Sequence, residues 1–274
     1  MNVNVASGVS GESDIIMPMD LKRKRIGLSL GGGAVRGWAH LGVLAELLQA
    51  GIPVDYVAGS SAGSLVGAIY CTGVGLDQVM DEAAGFKWWH IARPVWPNQG
   101  FVSFDRLEKL LISKFGDITF ADLKTPFAAV ATDLGTGISV PLQSGRLAPA
   151  VCASCAVPGI VTPVVIDGQL LGDGSISDTV PVDILRDMGA DFVIAVDIFM
   201  PSIRPRLGAL GMGMNAMEIL IQNAGGGIHD ADCLISPNLA GDTYVRFSRR
   251  QNLFMLGQQA ARDKLPDITN MIEM

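Results

Sequence analysis

Short apolar runs alternate with glycine-rich turns and amphipathic stretches along most of this chain. Ile26 to Leu30 is an apolar run closed by Gly31-Gly32-Gly33, and from about Gly37 to Ala50 the residues Trp38, Leu41, Leu44, Ala45 and Leu48 share one helical face. Gly51-Ile52-Pro53 stops that helix. A second run, Tyr56-Val57-Ala58, passes through Gly59-Ser60-Ser61-Ala62-Gly63 into a helical stretch containing Leu65, Val66 and Ile69, which ends near Gly73-Val74-Gly75. Strand, helix, strand, helix in so short a span predicts a βαβ unit, hence a parallel sheet with a right-handed crossover. Further on, Pro126 to Thr132 reads as a strand, Val161 to Leu171 as a hairpin around Asp167-Gly168, and Asp191 to Asp197 as a fully buried strand. A helix from about Asn215 to Asn223 closes a stretch rich in Gly and Met that starts at Ser202 and reads as an adaptable core or dimer face. No composition break or internal repeat divides the chain, so residues 25–268 are expected to form one α/β domain behind a disordered leader, residues 1–24.

Composition narrows the classes. The 274 residues are 49% hydrophobic with a mean hydropathy of +0.37, which implies a large interior. No window reaches the ~18 to 20 apolar residues of a membrane-spanning helix. The stretch from Met1 to Asp20 lacks the basic and apolar regions of a secretory signal. A formal net charge of −7 argues against sequence-independent binding to nucleic acid and against strong attraction to anionic lipid. Lys22-Arg23-Lys24-Arg25 precedes a strand and reads as a solvated edge. The four cysteines are expected to be reduced and the protein cytoplasmic, with Cys152 and Cys155 as small buried residues rather than a redox or zinc pair. No metal or cofactor is expected. Three of the four tryptophans fall between Phe86 and Phe104, with Pro94, Pro97 and Phe101. This segment reads as a packed surface loop, the alternatives being a lid or an interfacial lip toward lipid.

Candidate chemistry centres on Ser61. Gly-x-Ser-x-Gly between a strand and a helix is the setting of a nucleophile elbow, in which the glycines permit the sharp reversal and the helix N-terminus favours developing negative charge. The loop Gly31-Gly32-Gly33-Ala34-Val35-Arg36-Gly37 follows the neighbouring parallel strand, so its backbone amides would lie at the same edge of the sheet and suit an oxyanion. A nucleotide cradle would need an acidic residue at the end of the second strand, where Gly59-Ser60-Ser61 stands instead. For the base, His90 and His229 follow the serine in chain order, whereas His40 falls within the first helix and reads as a packed, satisfied histidine. Asp173 is better placed, in Leu171-Gly172-Asp173-Gly174-Ser175 directly after an apolar strand. Asp167 belongs to a hairpin tip.

Taken together, Gly31 to Val43, Gly59 to Gly63, Ala153-Ser154-Cys155-Ala156-Val157-Pro158, and Asp173-Gly174 followed by Pro181-Val182 occur in the order and approximate spacing of the patatin-like phospholipases, and the chain resembles the compact bacterial branch of that family from about Arg25 to Pro266. The resemblance implies a three-layer α/β sandwich with a mainly parallel central sheet. It also implies a serine–aspartate dyad without histidine, with Ser61 as nucleophile, Asp173 as base, and Gly32, Gly33 and Ala34 as oxyanion donors. Arg36 would orient the loop or meet a substrate phosphate, and the loop role is favoured because backbone carbonyls readily satisfy a guanidinium. The chain departs from the family pattern twice: the glycine loop has one more residue before Arg36-Gly37, and Ser175 stands where a second glycine or alanine is usual. The expected function is hydrolysis of a lipid ester or phospholipid. Transient contact with a membrane surface and self-association are compatible with it. A Ser-His-Asp carboxylesterase and a regulatory or scaffold protein with little turnover are the competing readings.

Overall fold

The computed structural model describes residues 23–83, 87–200, 208–224, 226–240 and 247–273. Most of the expected leader and residues 201–207 of the Gly- and Met-rich stretch lie outside them. In chain order the elements are β1 (Ile26–Leu30), α1 (Trp38–Gln49), β2 (Tyr56–Ser60), α2 (Ala62–Cys71), α3 (Leu76–Ala83), α4 (Trp88–Ile91), a two-stranded ribbon β3 (Arg93–Pro94) and β4 (Val102–Ser103), α5 (Asp105–Phe115) and β5 (Phe127–Asp133). They continue as β6 (Ser139–Leu142), α6 (Leu147–Ser154), β7 (Val164–Ile166), β8 (Gln169–Asp173), α7 (Val182–Met188), β9 (Phe192–Val196), α8 (Gly208–Asn223), β10 (Cys233–Ile235) and α9 (Arg250–Glu273).

The central sheet runs β10-β9-β1-β2-β5-β8-β7, with β6 also paired to β5. From β10 to β5 every pairing is parallel, and β6, β8 and β7 extend that block antiparallel. The parallel strands are mostly apolar because both faces are covered. Ile26, Leu28, Leu30, Ile194 and Val196 face a core built with α1, α2, α6 and α9. Ala58, Ala128, Val193 and Ala195 point the other way, toward Val182, Ile184 and Leu185 of α7. Small residues on that second face let α7 lie close: a Cβ on Gly27 would stand 3.1 Å from the Leu185 Cβ. Helices on both faces of a mainly parallel sheet are the architecture expected from the sequence.

The basic run before β1 is exposed at Arg23 and Arg25, as expected of a solvated edge, and its side chains also tie the edge to neighbouring segments. Arg23 makes two bonds of 2.6 Å to the Asp55 carboxylate, Arg25 bonds Asp191 at 2.9 Å, and Lys24 Nζ donates to the Met271 carbonyl at 2.7 Å. The tryptophan segment departs from its expected packing. Trp89 is 60% and Trp96 88% exposed on and beside the small ribbon, which is held to the domain by Phe101 and Val102 amides on the Ile160 carbonyl. The helix of the Gly- and Met-rich stretch begins seven residues earlier than expected, at Gly208. The long α9 is not evident in the sequence, because Gly257 and Pro266 punctuate it. Tertiary packing overrides them: α9 lies on α1 where Gly42 meets Phe254 and Gly257 meets Ala39, and the buried Glu46 carboxylate accepts from Gln258 at 2.7 Å and twice from Arg262 at 2.7 and 2.8 Å.

Candidate active site

The turn from β2 into α2 is dictated by contacts that exclude side chains. A Cβ on Gly59 would overlap the Gly63 backbone, and one on Gly63 would overlap the Leu30 carbonyl and lie 2.8 Å from that of Gly31. Between them Ser61 adopts φ 51° and ψ −118°, a conformation that an L-residue holds only where its surroundings force it. Its neighbours do so. Ser154 Oγ accepts from the Ser61 amide at 3.0 Å and itself donates to the Val130 carbonyl. The Ser61 carbonyl accepts from Ser64 Oγ at 2.8 Å, the Cys155 thiol at 3.2 Å and the Leu65 amide at 3.1 Å. Ser154 carries no distinct signal in sequence beyond its place in the Ala153–Pro158 block. In the fold it fixes the elbow to β5.

Strand register brings Asp173 to the same level. Ser60 pairs with Val130 in the parallel ladder, so Ser61 stands one step on, level with Ala131, and Ala131 pairs with Asp173 from the antiparallel side. The Ser61 hydroxyl donates to Asp173 Oδ2 at 2.7 Å, while Oδ1 accepts the Ser175 amide at 2.9 Å. The Asp173 amide is itself held by the Ala156 carbonyl at 2.8 Å. Burial raises the Asp173 carboxyl above the usual carboxylate range, against the hydrogen bonds from Ser61 and Ser175 that favour its charged form. The carboxylate is therefore a stronger proton acceptor than an exposed aspartate.

The glycine loop closes over this pair. The Gly31 amide donates to Val196 at 2.9 Å and the Gly32 amide to Thr179 at 3.1 Å, so both are engaged. The amides of Gly33 and Ala34 donate to no partner among the described residues, and Ala34 is held at φ 51°. Gly32 lies beside the serine, since a Cβ there would be 3.4 Å from that of Ser61. Arg36 is buried, and its NH1 donates to the Met200 carbonyl at 2.7 Å, which ties the far side of the loop to the segment after β9.

None of the three histidines bonds to Ser61. His229 is exposed on the 3-10 turn Gly226–Asp230, and His90, also exposed, accepts the Lys87 amide at 3.3 Å. His40 is fully buried and donates through Nε2 to the Gly31 carbonyl at 2.7 Å, with Nδ1 unpartnered among the described residues. Burial pushes its pKa down to about 4, despite the carbonyl that favours the charged form, so the ring is a neutral brace behind the glycine loop. In the unfolded chain the same ring takes its proton near the ordinary value of about 6.5. Stability is therefore lost as pH falls through the window from about 6.5 to about 4, where the unfolded chain binds more protons. Asp173, with its raised pKa, acts in the opposite direction. Urea unfolding at pH 7 and pH 4.5 is expected to show a steeper acid loss for the wild type than for His40→Gln, which keeps a donor for Gly31 without titrating. Equal losses would contradict this account. Cys152 is buried, as expected, and Cys155 only partly so; both thiols have pKa values raised by burial, that of Cys155 to about 12.

The patatin-like phospholipase family model matches residues 28–186, which include the loop, the elbow and Asp173. An uncharacterized NTE family protein of Mycobacterium bovis is 38% identical over 177 residues, 64% of this chain and 49% of that protein. The neuropathy target esterase sws of Drosophila melanogaster is 34% identical over 181 residues, and the lysophospholipase nte1 of Aspergillus fumigatus 32% identical over 181. The chain spans about half the length of the mycobacterial relative and only 13% and 12% of the fly and fungal ones. The crystal structure of VipD from Legionella pneumophila superposes with a TM-score of 0.52 at 14% identity, covering 90% of this chain and 72% of that one, a likeness of fold. With more than half of its residues matched by the family model, this chain belongs to the patatin-like phospholipase family.

Proposed function

We propose that this protein is a serine acyl hydrolase acting on lipid esters through Ser61 and Asp173. The observation that carries the reading is the 2.7 Å bond from the Ser61 hydroxyl to a buried carboxylate whose proton affinity burial has raised. Ser61 Oγ attacks the ester carbonyl carbon while its proton passes to Asp173 Oδ2. The carbonyl oxygen becomes an oxyanion held by the Gly33 and Ala34 amides. Gly32, whose amide is already bonded to Thr179, holds the loop at the distance the reaction needs, and Arg36 keeps its far side in place. Collapse of the tetrahedral adduct breaks the bond to the leaving alcohol, which takes the proton from Asp173. A water molecule then attacks the acyl-enzyme, losing its proton to the same carboxylate, and Ser61 is regenerated.

The names of the fly and fungal relatives, an esterase and a lysophospholipase, support ester-linked lipids as the substrate class. Transient contact with a lipid surface belongs to this reading, and exposed Trp89, Trp96 and Phe101 are side chains suited to it. A panel of p-nitrophenyl esters, lysophospholipids and diacyl phospholipids, assayed with wild type beside Ser61→Ala, tests the proposal. Turnover of at least one ester that disappears in Ser61→Ala is expected. Uniform inactivity of folded wild type would favour a scaffold role instead.

A further inference from the structure

Ser175 is buried, and its Oγ has no hydrogen-bond partner of good geometry among the described residues. A buried hydroxyl left so costs stability, and such groups in a folded protein call for an explanation. Its surroundings supply one. The Ser175 amide donates to Asp173 Oδ1 at 2.9 Å, and the Ser175 carbonyl accepts from Thr179 Oγ1 at 2.9 Å, so the residue is fixed beside the carboxylate. Its hydroxyl stands where a Cβ on Gly32 would overlap it, next to the glycine loop and across from Ser61. It also lies near enough to the Asp173 carboxylate to favour the ionised form without closing a well-formed bond at rest.

We propose that Ser175 is a positioning residue whose hydroxyl becomes the donor to the Asp173 carboxylate whenever Ser61 is acylated, keeping the base aligned against the glycine loop through the second half of the reaction. In the resting protein Ser61 supplies a donor to Oδ2. Once Ser61 carries an acyl group that donor is gone, and Ser175 Oγ is a buried neighbouring hydroxyl with no other partner among the described residues. The inference rests on the proposed hydrolase reading.

Ser175→Ala removes only the oxygen and Ser175→Gly removes the side chain. Both shorten a side chain without adding atoms, and melting temperature checks that each variant is folded. The test is the pH dependence of Ser61 phosphonylation by a fluorophosphonate and of p-nitrophenyl ester hydrolysis, from pH 4.5 to 8.5, with melting temperature followed throughout. Loss of the hydroxyl removes a group that favours the carboxylate, so the acidic limb is expected to move upward by about half a pH unit or more, which is about threefold slower reaction on that limb. The labelling curves converge at the alkaline end, whereas deacylation stays slower at every pH. Asp178, pushed up to about 6 by burial and by Asp183, titrates in the same range but is common to wild type and variants. The Cys155 thiol, pushed up to about 12, does not titrate there. A limb at the wild-type pH with unchanged deacylation overturns the inference and leaves the hydrolase reading standing. Wild type that neither labels nor hydrolyses overturns the hydrolase reading, and this inference with it.

Discussion

Asp173→Asn is expected to lower ester hydrolysis by about ten-thousand-fold while the melting temperature at pH 8 stays the same or rises. Asparagine has nearly the same shape: its oxygen can accept the Ser175 amide while its NH2 donates to the Ser61 hydroxyl oxygen, but it cannot take the proton. The loss therefore isolates base chemistry from architecture. The stability half of the prediction follows from burial. Asp173 is 3% exposed, and desolvation raises its pKa, so the folded protein holds the proton more tightly than the unfolded chain. A carboxyl of that kind contributes stability below its unfolded pKa and loses it as pH rises through the folded value. At pH 8 the charged form opposes folding, and the neutral amide relieves that opposition. At pH 4 the advantage of asparagine shrinks. Thermal unfolding of both proteins at pH 4 and pH 8, beside initial rates on a p-nitrophenyl ester, measures both halves together. A variant that is inactive and also much less stable at pH 8 would mean that the carboxylate is chiefly a structural group.

Gly42→Val is expected to be the most damaging substitution remote from Ser61. A Cβ at residue 42 would overlap the Phe254 carbonyl and stand 2.9 Å from the Gln258 amide nitrogen, both of them backbone atoms of α9 that no rotamer change can move. Gly257 makes the reciprocal contact with the Ala39 carbonyl, so the two helices touch along a pair of glycines. Parting them would lengthen the bonds from Gln258 and Arg262 to Glu46, a carboxylate only 4% exposed. Overpacking of two helix backbones is expected to cost about 3 kcal/mol or more. In a chain of this size that lowers the melting temperature by about 6 to 12 °C. Differential scanning calorimetry reads it directly. A shift smaller than about 2 °C would show that α9 can stand off from α1 at little cost.

Those two regions also mark the limits of what could be read from sequence. The β1-loop-α1 and β2-elbow-α2 units were legible because apolar runs, glycines and a 3.6-residue period coincide there, and each local preference agrees with the final structure. Ser61 and Asp173 both stood at strand ends, where polar residues after apolar runs attract notice. Their closeness was not legible, since it depends on β8 entering antiparallel beside β5 and on a register that sequence does not display. The Gly33 and Ala34 amides could be separated from that of Gly32 only once Thr179 was seen to engage the latter. The α9 helix is not legible for a physical reason: glycine and proline lower its intrinsic helicity, and the interaction that compensates lies more than 200 residues away at Glu46. A packed His40 is legible from its place in a helix, but that it braces the glycine loop depends on one carbonyl, Gly31, which no pattern of residue types identifies.

The most direct test of the dyad is intact-mass measurement of fluorophosphonate adducts on wild type, Asp173→Asn and a His90→Ala/His229→Ala double variant, each verified as folded. The account predicts a single adduct, mapped to Ser61, in wild type and in the histidine double variant, and none in Asp173→Asn. An adduct that persists in Asp173→Asn and vanishes with the histidines would contradict it.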